Sequence, residues 1–232
     1  MSNYVDFEKE VSKRLKENIS DVREEIKNAD MQYKIENYSK KYKIQKNYIE
    51  QLIIDDINFA SNFAKDPGKQ SIHEKISSEY LSNLDIIKDN GRFIDLPTRG
   101  KEAKYVTSYG VKNENLDDVK SIDFQIEVLD QKIYASCKHT KGEGGAQDNQ
   151  YADVKNFVRV ASDMIRRGYC QENEHFICIV DGSYYDKKSR INELEQISIQ
   201  SIPVMPTNGV NNYLIDLMKS KLEEEEKNEK DT

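Results

Sequence analysis

Tryptophan is absent from the chain, and the 232 residues include only four prolines, ten glycines, three cysteines and three histidines. Each shortage excludes something. Cys137, Cys170 and Cys178 are odd in number and show no Cys-x-x-Cys spacing, which argues against a disulfide framework or a zinc centre and for small, buried, apolar roles. His73, His139 and His175 adjoin different elements, which argues against a histidine-ligated metal or a histidine-activated nucleophile. No apolar run approaches a membrane span, and the opening Met-Ser-Asn-Tyr-Val-Asp-Phe lacks the basic-then-apolar pattern of a signal peptide. The expectation is a cytoplasmic protein with no membrane partner.

What the chain has in quantity is charge: 42 acids against 35 lysines and arginines, for a net −7. Much of the excess lies at one end, since Glu223 to Thr232 holds six acids and two lysines, a run that reads as a solvated helix end. The remaining body is nearly neutral and is free to form a local basic groove. Lys138, Lys141, Lys155, Arg159, Arg166 and Arg167 are candidates to line it. The length suits one domain with a sizeable core, to which a helical subdomain is attached.

Periodicity divides the chain into a helical N-terminal region (1–65), a core (66–221) and an acidic tail (222–232). From Val5 to about Asn62 the pattern is helical, with Ile49, Leu52, Ile53, Ile57 and Phe63 at helical spacing and no glycine to interrupt it. Asp66-Pro67-Gly68 reads as a turn, and Ser71 to Leu84 as an amphipathic helix. Asn90-Gly91 and Leu96 to Gly100 read as loops, and Ala103 to Val111 as an extended segment. A hairpin, a helix from Gln147 to Arg167, a buried strand Phe176 to Val180, a short helix from Ser189 to Gln196, a strand over Ile199 to Met205 and a helix from Val210 to Lys221 follow. That order predicts an α/β fold in which helices flank a mixed sheet.

The hairpin is the most informative stretch. Ile122, Phe124, Ile126 and Val128 alternate with Asp123, Gln125 and Glu127, and Ile133, Ala135 and Cys137 alternate with Tyr134, Ser136 and Lys138. A turn centred on Asp130-Gln131 sets Asp123 opposite Lys138, Gln125 opposite Ser136 and Glu127 opposite Tyr134, with facing Cβ atoms roughly 5 Å apart. The plain alternative is a solvated sheet face carrying a cross-strand ion pair. After the hairpin, Gly144-Gly145 precede a helix whose first turns carry Gln147, Asp148, Asn149, Gln150 and Tyr151. Such a start offers backbone N–H groups to a phosphate and amides to base edges, or is simply a capped helix.

The Ser-Ile-Asp-Phe strand, the Ser-Cys-Lys strand end and the helix after it resemble the PD-(D/E)xK nuclease superfamily, and type II restriction endonucleases in particular, over roughly residues 70 to 218. The resemblance implies a restriction-endonuclease-like mixed sheet in which Asp123 holds a magnesium ion and Lys138 activates or orients the attacking water. Ser136 stands where the family usually has an acid. The resemblance therefore leaves the missing carboxylate to Asp148 or Asp153 on the following helix, to Glu127 on the same face, or to Glu74, which matches a helix glutamate of several members. The Cys137 carbonyl is a further expected ligand, and hard oxygen donors suit magnesium. Gln147 and Tyr151 have the Gln-x-x-x-Tyr spacing of some exonucleases of the superfamily. With Lys141, Asn149 and Gln150 they are the expected DNA contacts. The implied partners are double-stranded DNA, a second copy of the chain for two-strand cutting, and a cognate DNA methyltransferase acting as a functional counterpart. A repair or junction nuclease of the same fold, or an inactive DNA-binding relative, are the alternatives.

Overall fold

The computed structural model describes residues 5–65, 71–117, 119–142, 145–198 and 202–230. They fall into two compact units, Asp6–Ile76 and Met1–Val5 with Ser77–Thr232. The expected turn at Asp66-Pro67-Gly68 and the first residues of the expected strand at 199–201 lie outside the described residues.

In the first unit the long helical pattern resolves into four helices: α1 Phe7–Glu24, α2 Ala29–Tyr42, α3 Lys46–Asp55 and α4 Ile57–Ser61. Local chemistry sets the breaks. Asp6 accepts the N–H groups of Glu8 and Lys9 at 3.1 Å to start α1, and Asp56 does the same for Asn58 and Phe59 to start α4. Lys43, in the left-handed region at φ 55°, ends α2. Ile19, Val22 and Ile26 pack with Met31, Ile35, Ile49, Ile53, Ala60 and Phe63 to form a core belonging to this unit. Helix α5, Ile72–Ser82, spans the boundary between the units.

The second unit is built on a five-stranded mixed sheet of order β1-β4-β5-β6-β7. Its strands are β1 Gly91–Asp95, β4 Phe124–Val128, β5 Gln131–His139, β6 Glu174–Asp181 and β7 Val204–Met205. The β1–β4 and β4–β5 pairs are antiparallel, whereas β5–β6 and β6–β7 are parallel. Parallel pairing needs crossovers, supplied by α7 Gly145–Arg166 and α8 Lys188–Ile197. On one face Val154, Phe157, Val158, Ala161 and Met164 of α7 pack on Tyr134, Phe176, Cys178 and Val180. On the other, Leu81, Leu84 and Ile87 from α5 and α6 (Asp85–Asn90), with Val210 and Leu214 of α9 (Val210–Lys230), cover Phe124, Ile126, Ile133, Cys137, Ile177 and Ile179. Helices thus flank a mixed sheet, as the order of elements predicts.

Four details differ from the sequence reading. Gly91 opens strand β1 rather than a loop, because α6 ends there and the chain runs directly into pairing with Val128. A Cβ at Gly91 would strike the Glu127 carbonyl, so only glycine admits this approach. The Ala103 to Val111 segment folds back on itself as a small ribbon, β2 Tyr105–Thr107 with β3 Gly110–Lys112. The acidic stretch continues α9 to Lys230. Cys137 and Cys178 are buried as expected, whereas Cys170 is only partly so.

Candidate active site

The hairpin register is shifted by two from the sequence expectation. Val128 pairs with Gln131, Gln125 with Tyr134 and Glu127 with Lys132, because the turn is centred on Leu129-Asp130. Leu129 takes φ 54° to close it. A periodic pattern is unchanged by a slip of two, so alternation alone does not distinguish these pairings. At the hairpin end the Asp123 N–H donates to the Ala135 carbonyl at 2.9 Å although Ala135 pairs with Phe124, so Asp123 and Phe124 both face Ala135 and the strand is bulged there. Lys138 lies beyond the bulge, yet its Nζ stands 3.8 Å from Asp123 Oδ2. The two side chains meet, as the sequence predicts, through the reach of the lysine stem and not by direct opposition.

The site is largely withdrawn from water. The Asp123 and Lys138 side chains retain 10% and 11% of their exposure, and Ser136 is buried. Asp123 Oδ2 also accepts the backbone N–H of Cys137 at 2.7 Å. Because the N–H and C=O of one strand residue point to the same side, the Cys137 carbonyl faces the Asp123 side of β5. Burial, reinforced by the Asp123 charge, pushes the Cys137 thiol well up, so its sulfur is protonated and inert.

Asp181, a buried acid at the end of β6, was not among the expected site residues. It accepts the Thr207 hydroxyl at 2.6 Å and the Thr207 N–H at 3.2 Å, and Thr207 in turn meets Ser77 at 3.1 Å. Burial raises its pKa, and the Thr207 hydrogen bonds offset part of that rise. The apolar run ending in Val180-Asp181-Gly182 is the sequence signal: an acid at the end of a fully buried strand is itself buried. Gly182 follows at φ 94°, where a Cβ would collide with the Thr140 carbonyl.

Three of the remaining expected ligands have partners of their own. Glu127 accepts from Gln125 Nε2 at 2.5 Å and lies four residues along the strand from Asp123, roughly 13 Å at the usual strand rise. Asp148 accepts the Tyr184 hydroxyl at 2.8 Å, and Asp153 pairs with Lys120 at 2.6 Å. Glu74 is in the first turn of α5, in the Asp6–Ile76 unit. Among the described residues no three His, Cys, Asp or Glu side chains converge as a metal cluster. The oxygen donors that this end of the hairpin carries are the Asp123 carboxylate, the Ser136 hydroxyl and the Cys137 carbonyl. One carboxylate with neutral oxygens fits magnesium, which keeps several of its waters, better than a cation that needs a full protein cage.

The expected DNA-contact residues cluster where β5 meets α7. Gln150 accepts from Thr140 Oγ1 at 2.8 Å, Gln147 Nε2 donates to the Lys141 carbonyl at 3.3 Å, and Lys141 and Asn149 are exposed. The Tyr151 hydroxyl donates to Glu193 and to the Arg190 carbonyl, so it ties α7 to α8. Glu143 and Gly144 lie outside the described residues. Of the expected groove cations, Lys155 pairs with Glu193, and Arg166 and Arg167 pair with Asp163.

Comparison with protein families, with curated proteins and with solved structures finds no match to this chain.

Proposed function

We propose that the chain is a magnesium-dependent endonuclease that hydrolyses double-stranded DNA at specific sites, in the manner of a type II restriction enzyme. The observation that carries this reading is the meeting of Asp123 and Lys138, 3.8 Å apart where the start of β4 meets the end of β5. The antiparallel hairpin, followed by α7 and the parallel strand β6, supports a restriction-endonuclease-like core.

In this reading Asp123, the Cys137 carbonyl and the Ser136 hydroxyl hold the cation. Magnesium supplies charge neutralisation on the phosphate and a water of lowered pKa. Lys138 stabilises the negative charge that develops on the phosphoryl oxygens and orients the nucleophile, and its burial strengthens that interaction. Asp123 keeps the lysine in place and, through the Cys137 N–H, fixes the strand end on which the lysine rides. Lys141, Gln147 and Asn149 flank the site as contacts for phosphate and base edges. Two copies of the chain would cut the two strands of a symmetric site, and a cytoplasmic methyltransferase of the same specificity would protect the host.

Ser136 favours a second reading, a DNA-binding relative that does not cleave, because it removes a carboxylate from the centre. Incubation of unmethylated phage DNA with the protein, in magnesium or in EDTA, separates the two. Discrete magnesium-dependent fragments support the restriction reading. A smear points to a less selective nuclease, and intact DNA with retained binding points to the second reading.

A further inference from the structure

The helices α2 and α3 are joined by three residues, Lys43, Ile44 and Gln45, in a turn that the sequence builds deliberately. Lys43 takes the left-handed conformation, and its N–H returns to the Ser39 carbonyl. Ser39 Oγ donates to the Ile44 carbonyl at 2.6 Å, which pins the turn from the other side. Ile44 then packs inward on the core of this unit, so α3 leaves the turn at a fixed orientation. Helix α3 buries Ile49 and Ile53 and turns Lys46, Asn47, Tyr48 and Gln51 outward.

Two helices joined by a three-residue turn, with the second helix docked by one face and exposing the residues of its first turns, are the elements of a helix-turn-helix, whose second helix enters a DNA major groove. The exposed chemistry matches. Gln45, Asn47, Tyr48 and Gln51 line one open groove, and amides of this kind read adenine bidentately. Around them, residues 34–48 hold five lysines against one glutamate in a chain of net −7. The lone acid, Glu36, is bridged by Lys40 at 2.9 Å and Lys46 at 3.0 Å, and these contacts hold its carboxyl below the usual range. Lys41, in the last turn of α2, and Lys43, in the connecting turn, are exposed and add positive charge beside the groove. An amide-bearing helix start framed by cations is complementary to a base edge framed by phosphates.

We infer that α2 and α3 form a helix-turn-helix that binds duplex DNA, with Asn47 and Gln51 on α3 reading bases and Lys41 and Lys43 contacting phosphates. This site belongs to the Asp6–Ile76 unit and the Asp123–Lys138 pair to the other, and the inference does not depend on whether that pair cleaves.

The test uses the full chain in EDTA, so that binding is read without cleavage. Fluorescence anisotropy with a labelled duplex oligonucleotide, across a salt series, compares wild type with Lys41→Ala/Lys43→Gly. Glycine suits the left-handed turn, so the pair removes charge without disturbing the fold, as circular dichroism will verify. The expected result is at least a threefold loss of affinity and a salt slope lower by about 1.8, the value for two phosphate contacts. A second variant, Asn47→Ala/Gln51→Ala, keeps the charge. Selection from a random duplex library should show that it enriches a different or weaker sequence than wild type does. Unchanged affinity, salt slope and enriched sequence in both folded variants overturn the inference. So does a chain that prefers single-stranded RNA to the duplex.

Discussion

Asp123 accepts the backbone N–H of Cys137 through Oδ2 at 2.7 Å, and so replaces the backbone acceptor that β4, which begins only at Phe124, does not supply there. The same oxygen stands 3.8 Å from Lys138 Nζ. One carboxylate therefore both completes the hairpin ladder and meets the buried cation.

The two functions separate by substitution. Asp123→Asn keeps an acceptor for the Cys137 N–H but loses the charge, whereas Lys138→Met keeps length without charge. Each single variant should cost about 1–3 kcal/mol, because each leaves a largely buried polar group without this partner. The double variant should cost at least about 0.5 kcal/mol less than the two together. Urea denaturation of the four proteins measures the coupling, and strict additivity would show that the pair does not interact.

Asp181 gives a pH signature. Burial raises its folded pKa above the unfolded value, so the folded state holds the proton more tightly. Its contribution to stability is fully present below the unfolded pKa, near pH 4, and is lost as pH rises through the folded value. Asp181→Asn stays neutral at every pH. The stability of the wild type should therefore fall relative to Asp181→Asn from about pH 4 upward, as read by thermal melts from pH 4 to 8. A difference that is flat with pH would show that the carboxyl is not displaced.

The turn at Leu129 offers a stabilising change. Leu129 is exposed and adopts φ 54°, a region in which a leucine is strained and glycine is not. Leu129→Gly should raise stability by about 0.5–1 kcal/mol, the relief of the left-handed strain exceeding the added unfolded-state entropy of glycine. A lower urea midpoint in the variant would contradict the turn placement and, with it, the register that pairs Val128 with Gln131.

Much of the fold is legible in the sequence because burial is periodic. The Phe176 to Val180 run, the α7 stripe of Val154, Phe157, Val158 and Ala161, and the alternation across the hairpin all mark elements that the structure contains. The hairpin register is less legible, since a slip of two preserves the alternation along both strands, and the turn residue Leu129, at φ 54°, carries no glycine or asparagine signal. Strand β1 escaped because Asn90-Gly91 carries the composition of a turn while the glycine serves close strand approach. In the candidate site, the proximity of Asp123 and Lys138 is legible from the hairpin alternation. The engagements of Asp148 with Tyr184 and of Asp153 with Lys120 are not, because they depend on tertiary neighbours distant in sequence.

The claim that the Asp123–Lys138 pair is a phosphodiester-cleaving centre is tested most directly by the rate at which a supercoiled plasmid bearing the mapped site is cut in magnesium by wild type and by Asp123→Asn. The account predicts magnesium-dependent linearisation by the wild type and at least a ~100-fold slower rate for the folded variant, about 2.7 kcal/mol of lost transition-state stabilisation. Cutting by Asp123→Asn at the wild-type rate would contradict it and move the chemistry away from the hairpin.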